Sequence, residues 1–214
     1  MTTVLKAFAR QLIVGFAVLV ALTVVLGLAY PAGVWVVSRI GATSAEGGQL
    51  TDAHGCDVGS ALIGVDPKPA AGQPDWYLHT RVAGTSADTA ADAMAPGDPA
   101  SSGPSNLGPN NPDLKKLIDV RRTYIAARDG VPAQEVPADA VTGSGSGLDP
   151  DISVAYAQLQ IARISRNSGL PTTKVRQIID DNTAGRQWGF LGQARVNVAD
   201  VNLALGHTVG VCRS

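Results

Sequence analysis

The side chains best suited to chemistry in this chain are three histidines (His54, His79 and His207), two cysteines (Cys56 and Cys212) and the run Thr142-Gly143-Ser144-Gly145-Ser146-Gly147. The histidines are scattered, and none has a Cys or Glu at metal-ligand spacing. Each reads as a surface or partly buried residue. His79 follows the aromatic pair Trp76-Tyr77 and suits a hydrogen bond at a core edge. The cysteines form no C-x-x-C; outside the cytoplasm they can close a disulfide, and otherwise they are two unrelated thiols. The Gly/Ser run fits neither the G-x-S-x-G nucleophile elbow nor a Walker phosphate loop. It reads as a backbone nest or as a flexible turn leading to Asp149. Thr208-Val209-Gly210-Val211 has the look of a potassium selectivity filter. Such filters sit between membrane helices in fourfold arrays, a setting that the end of a soluble segment lacks. Carboxylates are plentiful, but no pair is flanked by an apolar setting that would raise a pKa. This inventory of groups points to binding or scaffolding, not to an enzyme.

The elements that must position these groups begin with a membrane anchor. From Leu12 to Val37 there is no charged residue. The helical part up to Tyr30 spans about 28 Å at about 1.5 Å per residue, close to a hydrocarbon core of about 30 Å. Pro31 is expected to end or kink the helix, with Tyr30 and Trp35 in an aromatic belt. The run is too long for the apolar region of a cleaved signal peptide. Lys6 and Arg10 precede it and Arg39 follows it. The positive-inside rule therefore puts residues 1–11 in the cytoplasm, the 12–37 anchor in the lipid and the rest outside, in the cell membrane. Gly15, Gly27 and Gly33 permit close helix packing. After Arg39, fourteen basic residues face eighteen acidic ones. That balance excludes a nucleic-acid partner, which needs a basic face.

Residues 38–59 read as a tether and 60–214 as one small α+β domain outside the cytoplasm. Strands are expected at Ser60–Val65 and Trp76–His79, and a loosely structured surface excursion at 82–105. One helix starts at the Asn111-Pro112 cap, stops at Gly130 and buries Leu114, Leu117, Ile118, Tyr124 and Ile125. A second starts at Asp149-Pro150, turns Ile152, Ala155, Leu159 and Ala162 inward and closes at Gly169. A third starts near Pro171 with Val175, Ile178 and Ile179 inward. A last, short helix has Asn197 and Asp200 at capping spacing, with Val198, Val201 and Leu205 inward.

Several stretches, in order along the chain, resemble one family. They are Gly59-Ser60-Ala61-Leu62-Ile63-Gly64 followed by Tyr77 to Arg81, Ser105 to Pro112, Val136 to Pro150, and Arg195 to Val198 leading to Asn202-Leu203-Ala204-Leu205. Together with the single N-terminal helix they make the chain similar to the C subunit of the Kdp-type potassium-transporting P-type ATPase, the KdpC family. The chain departs from the family pattern at Pro104, Asp151 and Val154. The resemblance implies a non-catalytic subunit that assembles or stabilises a potassium-importing complex and promotes ATP binding by the ATPase subunit. Its partners would be a channel-like potassium-binding subunit, the P-type ATPase subunit, a small single-helix subunit and membrane lipid. It implies no cofactor of the chain's own, with ATP held by the ATPase partner. A Q-x-x-R pattern implicated in nucleotide contact falls on Gln160 and Arg163. Read as residues, Gln160 is expected on an exposed helix face and Arg163 on a helix surface or at a partner. The alternative reading is a free-standing, membrane-anchored binding module outside the cytoplasm.

Overall fold

The computed structural model describes residues 2–208 and Cys212; the last three residues of the Thr208–Val211 tetrapeptide lie outside them. The chain divides into two compact units, residues 1–47 and 48–214.

The first unit is one helical rod: α1 (Thr2–Val24), a π-helical turn (Val25–Ala29), α2 (Tyr30–Ser38), a 3-10 turn (Arg39–Gly41) and α3 (Ala42–Ala45). The helix does not end at Pro31, nor do the residues on either side leave the helical state. Proline cannot donate the bond that would reach back to Gly27. The wider turn ahead of it absorbs the ring, with the Tyr30 N–H reaching five residues back to the Val25 carbonyl. Thr3–Gly41 is helical and apolar enough to cross a membrane, with a mean hydropathy of 2.8 in its most apolar window. At about 1.5 Å per residue it is roughly 58 Å long, more than a hydrocarbon core needs.

The second unit begins with a hairpin where a tether was expected. Its strands are β1 (Gln49–Thr51) and β2 (Asp57–Ser60), antiparallel with an irregularity between Leu50 and Thr51. Asp52 holds the connecting turn by accepting from the backbone N–H groups of His54 and Cys56. Cys56 is buried and disulfide-bonded to Cys212, so the pair left open by the sequence is a bridge between the hairpin and the chain's end.

Neither expected strand forms as placed. β2 stops at Ser60, and Trp76–His79 pairs with no strand. The true sheet is small: β3 (Asp151–Ser153), β4 (Thr183–Ala184) and β5 (Arg195–Asn197) in the order β3-β5-β4, all antiparallel. Val196 sits opposite Ile152 and Thr183 at its centre.

The helices carry the core. In α5 (Pro112–Asp129) the Asn111 side chain caps the start, and Gly130 ends the helix in the left-handed conformation. Leu117 and Ile125 are buried as expected, but Tyr124 faces outward at 42% exposure. The helix expected at Asp149 starts later, as α7 (Val154–Ser168). The Asp149 carboxylate turns the chain by accepting from Asp151 N–H, and Pro150 leads into β3. Ser153 is the cap, accepting from Tyr156 N–H, and Asp139 of α6 (Ala138–Val141) in turn accepts from Ser153. The buried face also differs from the expected one. Tyr156, Ala157, Ile161 and Ile164 point inward, while Ala155 and Ala162 are exposed. The remaining helices, α8 (Thr172–Asp181) and α9 (Val198–Ala204), bury the expected Val175, Ile178, Ile179, Val198 and Val201.

The 82–105 stretch is fastened where a loose excursion was expected. Val82, Ala93 and Met94 are buried, and Ala90–Ala93 forms the one-turn helix α4. Arg121 of α5, buried to 2% exposure, donates to the carbonyls of Gly84, Ala93 and Val141. Those carbonyl dipoles stand where a carboxylate would otherwise balance the guanidinium. A Cβ on Gly84 would lie 2.0 Å from the Asp92 carbonyl oxygen, so this close approach needs glycine.

Candidate functional site

Two of the stretches that carry the family resemblance, 136–150 and 202–205, reach a third on one segment, residues 75–81. Such a segment ordinarily finds its backbone partners in a neighbouring strand. Here side-chain amides supply them. Asn202 of α9 accepts from Leu78 N–H at 2.8 Å and donates to the Leu78 carbonyl at 2.9 Å. Gln160 of α7 does the same for His79, accepting at 2.9 Å and donating at 3.1 Å. A primary amide carries the donor and acceptor of a peptide group, so each side chain stands in for one residue of a strand. Asp66 then accepts from Thr80 N–H, and the Thr80 hydroxyl donates to the Asp149 carbonyl. Arg81 donates to the carbonyls of Thr142 and Gly143 and pairs with the Asp149 carboxylate.

Gln160 and Arg163 are thus brought together, but not on a surface. Gln160 is 0% exposed and Arg163 is 3% exposed. The sequence reading placed both outside the core because it took Ala155 and Ala162 as the inward face. Arg163 donates to Asp129, to the Asp75 carbonyl and to Gln160, at 2.7, 2.9 and 2.7 Å. Every polar atom of both side chains has a partner within the chain.

Around them lies a buried ionic cluster. Arg128 donates to Asp129 and to the Tyr156 hydroxyl. Burial pushes the Tyr156 phenol up, against the pull of Arg128. Both ring nitrogens of His79 face carboxylates, Nδ1 toward Asp66 and Nε2 toward Asp75. Arg128 and Arg163 share this cluster with the carboxylates of Asp66, Asp75 and Asp129. Burial works to raise the Asp75 carboxyl, but the His79 hydrogen bond and the charges of His79, Arg163 and Arg128 outweigh it and hold it below its usual range.

Other expected features fall differently. The Gly/Ser run is occupied by its own chain: Gly103 N–H and the Ser102 hydroxyl donate to the Ser146 carbonyl. His207 stacks on Trp76 and Tyr77 with ring centroids 3.4 and 3.7 Å apart. Its Nε2 is buried without a partner. Burial pushes its pKa down to about 4. His207 also borders a cavity of about 500 Å³ with Leu50, Val58, Ile63, Tyr77 and Asn202. Among the described residues no His, Cys, Asp and Glu group has a metal-binding arrangement. The sequence reading missed Asn202, Asp66, Asp75 and Asp129. One available signal was a glutamine and an arginine three apart inside the apolar stripe of Ala157, Ile161 and Ile164.

Residues 12–207 match the family model described as K+-transporting ATPase, c chain. A relative from Kineococcus radiotolerans, named potassium-transporting ATPase KdpC subunit, is 38% identical over 96% of this chain and 97% of its own length. Relatives with the same name from Burkholderia mallei and Burkholderia pseudomallei are each 42% identical over 94% of this chain and 96% of their own length.

Replacing Gln160 by Leu strands the His79 N–H and carbonyl and one Arg163 donor. At about 1–3 kcal/mol for each buried unpaired group, Gln160→Leu is expected to cost roughly 3–5 kcal/mol. Urea unfolding of the full chain in mild detergent measures it; an unchanged midpoint would mean that the amide pairing contributes nothing. The lowered His207 pKa means that the unfolded chain binds more protons between pH 6.5 and about 4. Stability should therefore be level above pH 6.5 and fall through that window. The fall is about 1–2 kcal/mol once the partial exposure of the ring is discounted, and His207→Phe should flatten it.

Proposed function

We propose, from the premise that this chain belongs to the KdpC family of K+-transporting ATPase c chains, that it is a non-catalytic accessory subunit of an ATP-driven potassium import complex. Its anchor helix packs against a channel-like potassium-binding subunit, a P-type ATPase subunit and a small single-helix subunit. Its second unit serves as a rigid docking block on the outer side of the cell membrane. The observation that carries this reading is the 78–81 segment: its donors and acceptors, and those of Gln160 and Arg163, are spent on holding the fold.

Two features support the outward orientation. Lys6 and Arg10 precede the apolar run and only Arg39 follows closely. The Cys56–Cys212 bridge suits an oxidising compartment. With that orientation, promotion of ATP binding runs indirectly, through contacts between subunits. A direct nucleotide contact at Gln160 and Arg163 would require the 75–81 segment to release them. The second reading, a membrane-anchored binding module, draws on the cavity beside His207.

The test is purification of the chain from its native membrane in gentle detergent, alongside protease added to intact cells. The chain should travel with a P-type ATPase and a multi-helix potassium subunit, and the protease should cut its second unit. Migration alone contradicts the accessory role, and protection in intact cells with cutting in inverted vesicles contradicts the orientation.

A further inference from the structure

The second unit holds few aromatic residues, yet two of them stand exposed on one loop between β4 and β5. Trp188 is 79% exposed, Phe190 67% and Leu191 42%. A scatter of single exposed apolar residues is normal, but three within four positions form a patch. The loop is built rather than slack. Gln187 N–H donates to the Leu191 carbonyl, Leu191 N–H donates back to the Gln187 carbonyl, and the two close an isolated bridge. Trp188 at the tip sits at φ 53°, the left-handed region where a bulky side chain is strained. Such a conformation is costly for a bulky residue, and here it lifts an indole into solvent. Arg186 beside it is exposed and has no ion pair among the described residues.

The loop also has a defined footing. Asn197, two residues beyond Arg195 where the loop ends, donates from its side chain to the Ala61 carbonyl.

We propose that the Arg186–Leu191 tip is a second membrane contact, lodging in the headgroup–acyl boundary of the bilayer that holds the anchor. Trp188 supplies an apolar ring with a polar N–H, the combination that favours this interface. Phe190 and Leu191 enter beside it, and the Arg186 guanidinium takes a phospholipid phosphate bidentately. This contact requires no partner subunit, so it stands or falls separately from the accessory role.

The full chain, alone, is placed in nanodiscs containing phosphatidylglycerol with or without bromine on the acyl chains. Trp188 emission is taken as the difference between Trp35→Phe and Trp35→Phe/Trp188→Phe chains. Bromolipid should remove roughly half or more of that emission and shield it from aqueous iodide. Arg186→Gln should weaken the quenching when phosphatidylglycerol is present and leave it unchanged in neutral lipid. Emission that ignores bromolipid and stays open to iodide would overturn the contact and leave the tip to a protein partner. Because Trp188 and Arg186 are exposed, an intact Cys56–Cys212 bridge and unchanged circular dichroism serve as the folding control.

Discussion

The second unit depends on two buried amides doing the work of a missing strand. Leu78 and His79 are buried, and a buried peptide group without a partner costs about 1–3 kcal/mol. Gln160 and Asn202 pay that cost from two different helices, and so tie α7 and α9 to one segment. The ionic cluster follows from the same geometry. Once Gln160 faces inward, Arg163 three residues on faces the same way, and its buried guanidinium must find acceptors inside the fold. Asp129 and Asp75 meet that need, and His79 links Asp75 to Asp66.

The arrangement accounts for why the resemblance lies in separated stretches. Gly64 donates its N–H to the Leu148 carbonyl, and a Cβ there would stand 2.2 Å from the Asp149 carbonyl oxygen. Asn197 reaches Ala61, and Asn202 reaches Leu78. Motifs far apart in sequence are therefore one packed object around residues 75–81, held from outside by the Cys56–Cys212 bridge.

Periodicity and capping residues made much of the fold legible. The Asn111-Pro112 and Gly130 boundaries, the inward face of α8 and the Asn197 cap follow from local rules that the tertiary structure does not override. The anchor was legible because lipid demands a long uncharged run. Local rules fail where partners come from afar. Asp149-Pro150 has the look of a helix start, but Asp139 and Ser153 set the start later, and Gln160 faces inward to partners on residue 79. Trp76–His79 has the composition of a strand, yet its backbone partners are side chains more than 80 residues away. The 82–105 stretch is low in large apolar residues and is fixed by Arg121 binding carbonyls, which composition does not reveal.

Amide hydrogen exchange of the full chain in lipid tests the amide ladder most directly. If Gln160, Asn202 and Asp66 hold the segment, the N–H groups of Leu78, His79 and Thr80 exchange only on global opening, as slowly as those of α7. Exchange of those three at the rate of an unstructured loop, with α7 still protected, would contradict the account.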